Sequence, residues 1–237
     1  MSPAPGTIRA AALTPGWASR NWSGYAVTSG APFTSVSGTF VVPTVLPPAK
    51  KRQMHKLMIS SDWVGIDGFS SGDSTVIQAG VEELWTGGRT PGAFYQAWWE
   101  LYPQTYENPI GNVAVGPGTT ITVTISEVLP GSWMISLTND DTGQTFLTEQ
   151  NYSGQGGSAE WIHEAVTYGR HIATLPRETN VTFYGASANS GGVGFSTSEA
   201  GVMMKGRHVI STPSVPDASG NGFSVGYGSA VPAPPSM

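Results

Sequence analysis

Carboxylates, one glutamine and many aromatic rings fall at alternate positions in four short segments, residues 61–68 (SDWVGIDG), 75–81 (TVIQAGV), 94–103 (FYQAWWELYP) and 158–166 (SAEWIHEAV). Side chains of a strand alternate between its two faces. Trp63 and Asp67 then share a side, as do Gln78 and Gly80, and as do Phe94, Gln96, Trp98, Glu100 and Tyr102. The opposite side holds Val64, Ile66, Ile77, Ala79, Val81, Tyr95, Ala97, Trp99 and Leu101, which reads as core. A sheet with one buried and one wet face has this form. Its wet face would be a groove of rings and acids, suited to a polymer. Glu160 falls on that face, and its chemistry depends on what stands opposite. Two carboxylates, Glu160 with Glu100 or Asp67, would suit a glycosidase, with separations of about 5.5 Å or roughly 6.5–9.5 Å setting the stereochemical outcome. A carboxylate with an amide suits acyl transfer. The glutamate takes a proton from water attacking a carbonyl, and the amide N–H donates to the oxygen as it becomes an anion. A lectin-like module would use the same rings to stack sugars without turnover.

The elements that must position these residues are strands. Period-two patterns run over residues 36–42, 57–66, 75–84, 94–101, 119–128, 133–137, 144–152, 158–166, 180–186 and 202–210. No segment reads as a helix. Turn clusters at 86–91, 139–143, 153–157 and 189–194 separate the strands, and residues 43–56 form a charged, proline-bearing loop. Many short strands with regular turns predict an all-β sandwich or barrel. We expect an extended N-terminal segment over 1–18, one β-sandwich domain over 19–212, and a C-terminal segment over 213–237 that is weakly ordered at its end.

Composition excludes several functions. At 237 residues with 39% apolar residues and eight each of Trp, Tyr and Phe, the chain can build one large core. Charged residues are 11% of the chain, against a usual share of about 25%. Such scarcity suits an acid environment, because few carboxylate interactions are lost and little positive self-repulsion accumulates. A net charge of −5, with Lys50, Lys51 and Arg52 the one basic cluster, argues against nucleic acid. No apolar run approaches the ~20 residues of a spanning helix, so a membrane role is not expected. The first 16 residues are Pro/Ala-rich and lack the form of a signal peptide, so they read as a trimmed mature start behind a Met. The absence of cysteine removes disulfides and thiolate chemistry. Asn21, Asn151 and Asn180 begin glycosylation triplets that matter only in a eukaryotic secretory host.

Three motifs point elsewhere and are set aside. Asp141-Thr142-Gly143 is the triplet of aspartic peptidases, but that mechanism needs two aspartates sharing a proton. In its context of Asn139-Asp140 and Gln144 it reads as a β-turn. Residues 68–72 (GFSSG) match the G-x-S-x-G elbow, which requires a following helix that the pattern does not supply. His55, His163, His171 and His208 lack metal-ligand spacing, so no zinc site is expected. On a strand His163 points away from the face of Glu160, which makes it a core or supporting histidine.

In order along the chain, Asn21-Trp22-Ser23-Gly24-Tyr25, Trp63-Val64-Gly65-Ile66-Asp67-Gly68, Gln78-Ala79-Gly80, Trp98-Trp99-Glu100-Leu101-Tyr102-Pro103 and Ala159-Glu160-Trp161-Ile162 resemble the glutamic peptidases, or eqolisins. The resemblance runs from about residue 21 to residue 210. It implies a concanavalin-like sandwich of two antiparallel sheets with the cleft on the concave sheet. It also implies Glu160 as general base and later acid, and Gln78 as the group that holds the water and stabilises the tetrahedral intermediate. Trp22, Trp63, Asp67, Glu100 and Tyr102 would line the cleft and bind substrate. A monomeric, secreted, acid-active endopeptidase without metal or cofactor follows, acting on polypeptides and resisting pepstatin. The chain departs from fungal members in Gln78-Ala79-Gly80 where Gln-Thr-Gly is typical, in residues 161–165 (WIHEA), and in having no cysteine, which makes it look like a prokaryotic member.

Overall fold

The computed structural model describes residues 13–70 and 72–236, so residues 1–12 of the expected extended start over 1–18 lie outside it. Its strands are β1 (Trp17–Ser19), β2 (Trp22–Val27), β3 (Ser35–Val41), β4 (Val45–Leu46), β5 (Met58–Ile66), β6 (Val76–Trp85), β7 (Ala93–Tyr102), β8 (Asn108–Ile110), β9 (Thr120–Leu129), β10 (Ser132–Asn139), β11 (Gln144–Asn151), β12 (Ala159–Glu164), β13 (Thr167–Tyr168), β14 (His171–Ile172), β15 (Arg177–Glu178), β16 (Val181–Ala188), β17 (Gly191–Gly192), β18 (Ala200–Lys205), β19 (His208–Pro213) and β20 (Phe223–Tyr227). Two single 3₁₀ turns, Lys51–Gln53 and Thr197–Glu199, are the helical elements among the described residues.

The fold is all-β and almost wholly antiparallel. Fourteen strands follow one hydrogen-bonded path, β11-β10-β9-β3-β16-β20-β19-β18-β2-β12-β5-β6-β7-β8, with β1 added in parallel to β18. That path doubles back, bringing β5 and β6 against β9, β3 and β10. Between the two layers lies the main core, where Val64, Ile66, Ile77, Ala79, Val81, Ala97 and Leu101 from one layer meet Phe40, Ile121, Val123, Ile135 and Phe183. The seven from the first layer are residues that alternation assigned to the inner face. A stack of Phe183 on Phe223, with centroids 5.0 Å apart, and the tilted pair of Tyr25 and Phe223, with centroids 4.5 Å apart, continue this core toward β2 and β20.

Three local differences from the sequence reading have simple causes. The strand expected over 202–210 is a hairpin, because Gly206, at φ +63°, turns the chain between β18 and β19. The sheet also extends past residue 212. Ser224 and Val225 of β20 pair with β16, and Val225 to Tyr227 pair with β19, so the expected C-terminal segment contributes a buried strand. Finally, the face expected to be wet is largely dry. Trp63, Trp98, Val76 and Ile162 cover one another in a second, smaller core, flanked by Trp17 and Trp22. Rings of this size exclude water from each other's faces.

Candidate active site

Cross-strand pairing sets Glu160, Gly65, Gln78 and Glu100 in one row across β12, β5, β6 and β7. Directly paired residues project to the same face, and strands lie about 4.8 Å apart. Glu160 and Gln78 therefore stand roughly 10 Å apart at the backbone, with a glycine between them. A Cβ on Gly65 would lie 2.9 Å from the Ile77 carbonyl oxygen, 3.0 Å from the Trp63 ring and 3.1 Å from Gln78 Cβ. Gly65 thus leaves free the space between the Glu160 and Gln78 strands that a side chain would fill. The next row is Ile162, Trp63, Gly80 and Trp98, and the one beyond it Glu164, Ser61, Glu82 and Gln96. A Cβ on Gly80 would likewise collide, with the Asp62 carbonyl oxygen first and with Trp63 Cβ at 2.6 Å.

Hydrogen bonds fix most of this surface. Gln78 Nε2 donates to Glu100 Oε2 at 2.7 Å, which sets the plane of the amide. An amide nitrogen carries two protons, so one N–H remains. Trp63 Nε1 donates to Glu164 Oε2 at 2.8 Å, and Asn21 Nδ2 donates to Glu164 Oε1 at 3.0 Å. Trp98 Nε1 donates to Ser61 Oγ at 3.0 Å. Against this satisfied background, both carboxylate oxygens of Glu160, Gln78 Oε1 and Ser158 Oγ are buried and have no partner. Buried polar atoms are rarely left so, and among the described residues they fall in two groups, this one along the Glu160–Gln78 row and a second made by Asp62, Glu83 and Glu178.

A cavity of about 660 Å³ opens over the Gln78–Glu100 end of this row. Trp22, Gln78, Glu100 and Tyr102 line it, as the sequence reading placed them. Trp63 does not. It is fully buried, packed edge-on to Trp22 with centroids 5.0 Å apart, and acts through Glu164. Asp67 does not line the cavity either. At φ +74° it leaves the strand alternation, and its carboxylate turns inward to accept from Tyr152 Oη at 2.8 Å, Gly156 N at 3.1 Å and Gly157 N at 2.6 Å. Asp67 therefore ties down the loop that leads into β12 and Glu160. Glu160 itself is fully buried beneath the surface, one strand beyond Gly65, and Gln78 is where the row reaches the cavity.

Several cavity residues escaped the sequence reading. Glu164 shares the parity of Glu160 and Ile162, so alternation was the signal for it. Glu107 and Tyr168 come from loops and a short hairpin, where no periodicity marks them. Tyr168 Oη reaches Glu82 Oε1 at 3.2 Å.

Burial dominates the electrostatics. It pushes the Glu160 carboxyl well above the usual carboxylate range, reinforced by Asp67 and Asp73. Glu164 rises to about 7, chiefly by burial and against the hydrogen bonds from Trp63 and Asn21. Glu107 rises to about 8 by burial and the neighbouring charges of Glu82, Glu100 and Glu164. Glu100 is also raised by burial, against the Gln78 hydrogen bond. This cavity wall favours neutral carboxyls.

The remaining motifs are structural. Asn139 Oδ1 accepts from the N–H groups of Asp141 and Thr142, and Gly143 sits at φ +75°, which makes the Asp-Thr-Gly triplet the turn between β10 and β11. Ser70 Oγ donates to the Gly157 carbonyl, and a strand, β6, follows. His163 lies buried on the face opposite Glu160, with Nδ1 2.9 Å from Asp62 Oδ1 and Nε2 3.1 Å from Glu178 Oε1. Burial lowers its pKa, but these two carboxylates outweigh that and raise it to about 10, so His163 is a buried cation.

Comparison with known proteins identifies the family and the fold. The family model described as "Peptidase A4 family" matches residues 20–224. Aspergillopepsin-2 of Aspergillus niger is 31% identical over 202 residues, covering 78% of this chain and 70% of that protein. The crystal structure of aspergilloglutamic peptidase from Aspergillus niger superposes with a TM-score of 0.62 at 29% identity, over 72% of this chain and 99% of that one. A scytalidoglutamic peptidase solved with a transition-state analogue inhibitor shares the fold at a TM-score of 0.69 and 24% identity, over 88% of this chain and 98% of that one.

Proposed function

Because the chain belongs to the peptidase A4 family, the glutamic peptidases, which hydrolyse peptide bonds, we propose that Glu160 and Gln78 carry its chemistry. In this reading a polypeptide lies in the cavity with its scissile carbonyl above Gly65. Ionised Glu160 takes a proton from a water molecule, and the water oxygen attacks the carbonyl carbon. Gln78 donates its free N–H to the carbonyl oxygen as that becomes negative, its amide plane held by Glu100. Protonated Glu160 then gives the proton to the leaving nitrogen, the C–N bond breaks, and a carboxylic acid and an amine remain. The observation that carries this is the row Glu160–Gly65–Gln78, with buried acceptors that nothing in the protein satisfies.

Trp22 and Tyr102 would hold the substrate, and Trp63 and Asp67 would position the floor and the loop entering β12. The same reading makes the layer bearing the cavity the concave sheet of a concanavalin-like sandwich, and the protein a secreted endopeptidase acting as a monomer. It works in acid. A general base must be ionised, so the acid limb of activity reports Glu160. An ordinary Glu titrates near about 4.3, and burial moves that limb upward. Digestion of an unfolded protein in ¹⁸O-enriched water tests the chemistry. Each new carboxyl terminus should gain the label, pepstatin should not inhibit, and hydroxylamine should trap no acyl-enzyme. Hydroxamate products, or release of oligosaccharides from polysaccharide with no peptide cleavage, would overturn it.

A further inference from the structure

Behind the hairpin of β13 and β14 lies a second cavity of about 310 Å³. It shares two wall segments with the first. Asn21, Trp22 and residues 167–169 face the first cavity, whereas Arg20 and residues 170–172 face the second. Its rim carries Arg20, Arg170 and Lys205, three of the 11 Lys and Arg in the chain. They arrive from separate elements of a protein whose net charge is −5. Among the described residues none of the three has a carboxylate within 4.0 Å or a side-chain hydrogen bond to the protein. The floor is different in character. Ile172, Leu175 and Ile210 belong to a small hydrophobic cluster with Ala165 and Met203.

Convergent cations in a protein short of cations are unfavourable without an anion, and a cleft of one charge sign concentrates ions of the other. Guanidinium groups add planar forks that match oxyanions. An apolar floor rewards a hydrocarbon group, and ligand cavities start at about 300 Å³. We propose that this cavity binds a small amphipathic anion, an alkyl or aryl group of a few carbons bearing a sulfonate, sulfate, phosphate or carboxylate. Its source is either a free organic anion or an acidic residue beside an aliphatic one in a polypeptide.

Calorimetric titration of the full chain at pH 5 tests this, with hexane-1-sulfonate, sulfate and 1-hexanol as probes. Hexane-1-sulfonate should saturate one site at least about ten-fold more tightly than sulfate or hexanol, the gain expected from burying two or more methylenes beside an ion pair. Arg170→Gln and Lys205→Gln should each weaken it by about five-fold, the upper range for an exposed ion pair. Both positions are exposed, so thermal midpoints should not move. Acetyl-Asp-Leu-amide that displaces the sulfonate supports the polypeptide source, and failure to displace a bound sulfonate supports the free anion. Hexane-1-sulfonate binding no better than both partial probes, or binding unchanged in the double variant, overturns the proposal.

Discussion

Gly65→Ala adds one methyl group at the centre of the catalytic row, and its effect can be worked from the surroundings. The new carbon would meet the Ile77 carbonyl oxygen at 2.9 Å, the Trp63 ring at 3.0 Å and Gln78 Cβ at 3.1 Å. None yields easily. The carbonyl belongs to β6, and the Trp63 ring is fully buried and held by Glu164. The softest neighbour is Gln78, so the methyl is accommodated by pushing the amide away from Glu160. Overpacking of this kind costs about 1–3 kcal/mol. For a domain of this size that lowers the thermal midpoint by roughly 2–12 °C. Displacement of an aligned group by about 1 Å can cost 10²-fold in rate, so kcat/KM should fall by about that factor while circular dichroism at 20 °C stays native. The assay is cleavage of an unfolded protein at pH 5, with melting followed in parallel. A Gly65→Ala enzyme with wild-type kcat/KM would refute the claim that Glu160 and Gln78 act together across Gly65.

Further outcomes follow from the buried charges and the loop entering β12. Asp62 rises to about 6, Glu164 to about 7 and Glu107 to about 8, so the folded state holds protons that the unfolded state releases near about 4. Their stabilisation is full below about 4 and is lost as pH rises to 8; that of His163 is full below 6.5 and lost as pH rises through about 10. Only Asp73, whose carboxyl is lowered, works the other way. The melting temperature should thus decline from pH 4 to pH 9, and a higher value at pH 8 than at pH 4 would contradict this. His163→Gln leaves Asp62 and Glu178 buried without their cation, which should cost about 3–5 kcal/mol, read as a drop in urea midpoint at pH 7. Asp67→Ala removes the acceptor of the Tyr152 hydroxyl and two backbone N–H groups. It should lower kcat far more than it raises KM, and an effect confined to KM would return Asp67 to substrate binding.

Much of this architecture was legible because alternation is a strong signal wherever a strand has two unlike faces. The residues assigned inward from 64 to 101 belong to or pack against the main core, and parity sets Gln78 and Glu160 each opposite the core-facing residues of its own strand, while the pairing through Gly65 puts them on one face. Parity stops being informative where the backbone leaves the strand. Asp67 counts as cleft-facing by spacing, and its left-handed φ turns it inward, a conformation that Asp adopts more readily than most residues. β2 (WSGYAV) and β20 (FSVGY) carry glycine and serine that weaken their strand signal, so their places were found only through pairing. The buried cation at His163 depends on Asp62 of β5 and Glu178 of β15, which are distant in sequence. No local pattern brings those three together.

The central claim is that Gln78 is a chemical participant and Glu160 its partner, and turnover of two folded variants tests it most directly. Glu160→Gln removes the proton acceptor and should abolish measurable proteolysis. Gln78→Ala should reduce kcat by about 10²–10³, the loss found when one oxyanion donor is removed, with melting temperature nearly unchanged. Gln78→Glu should not restore activity, because it exchanges a donor for an acceptor and places a second carboxylate in the row with Glu160. A folded Gln78→Ala enzyme with near-wild-type turnover would contradict the account and return the site to a pair of acids, Glu160 and Glu100.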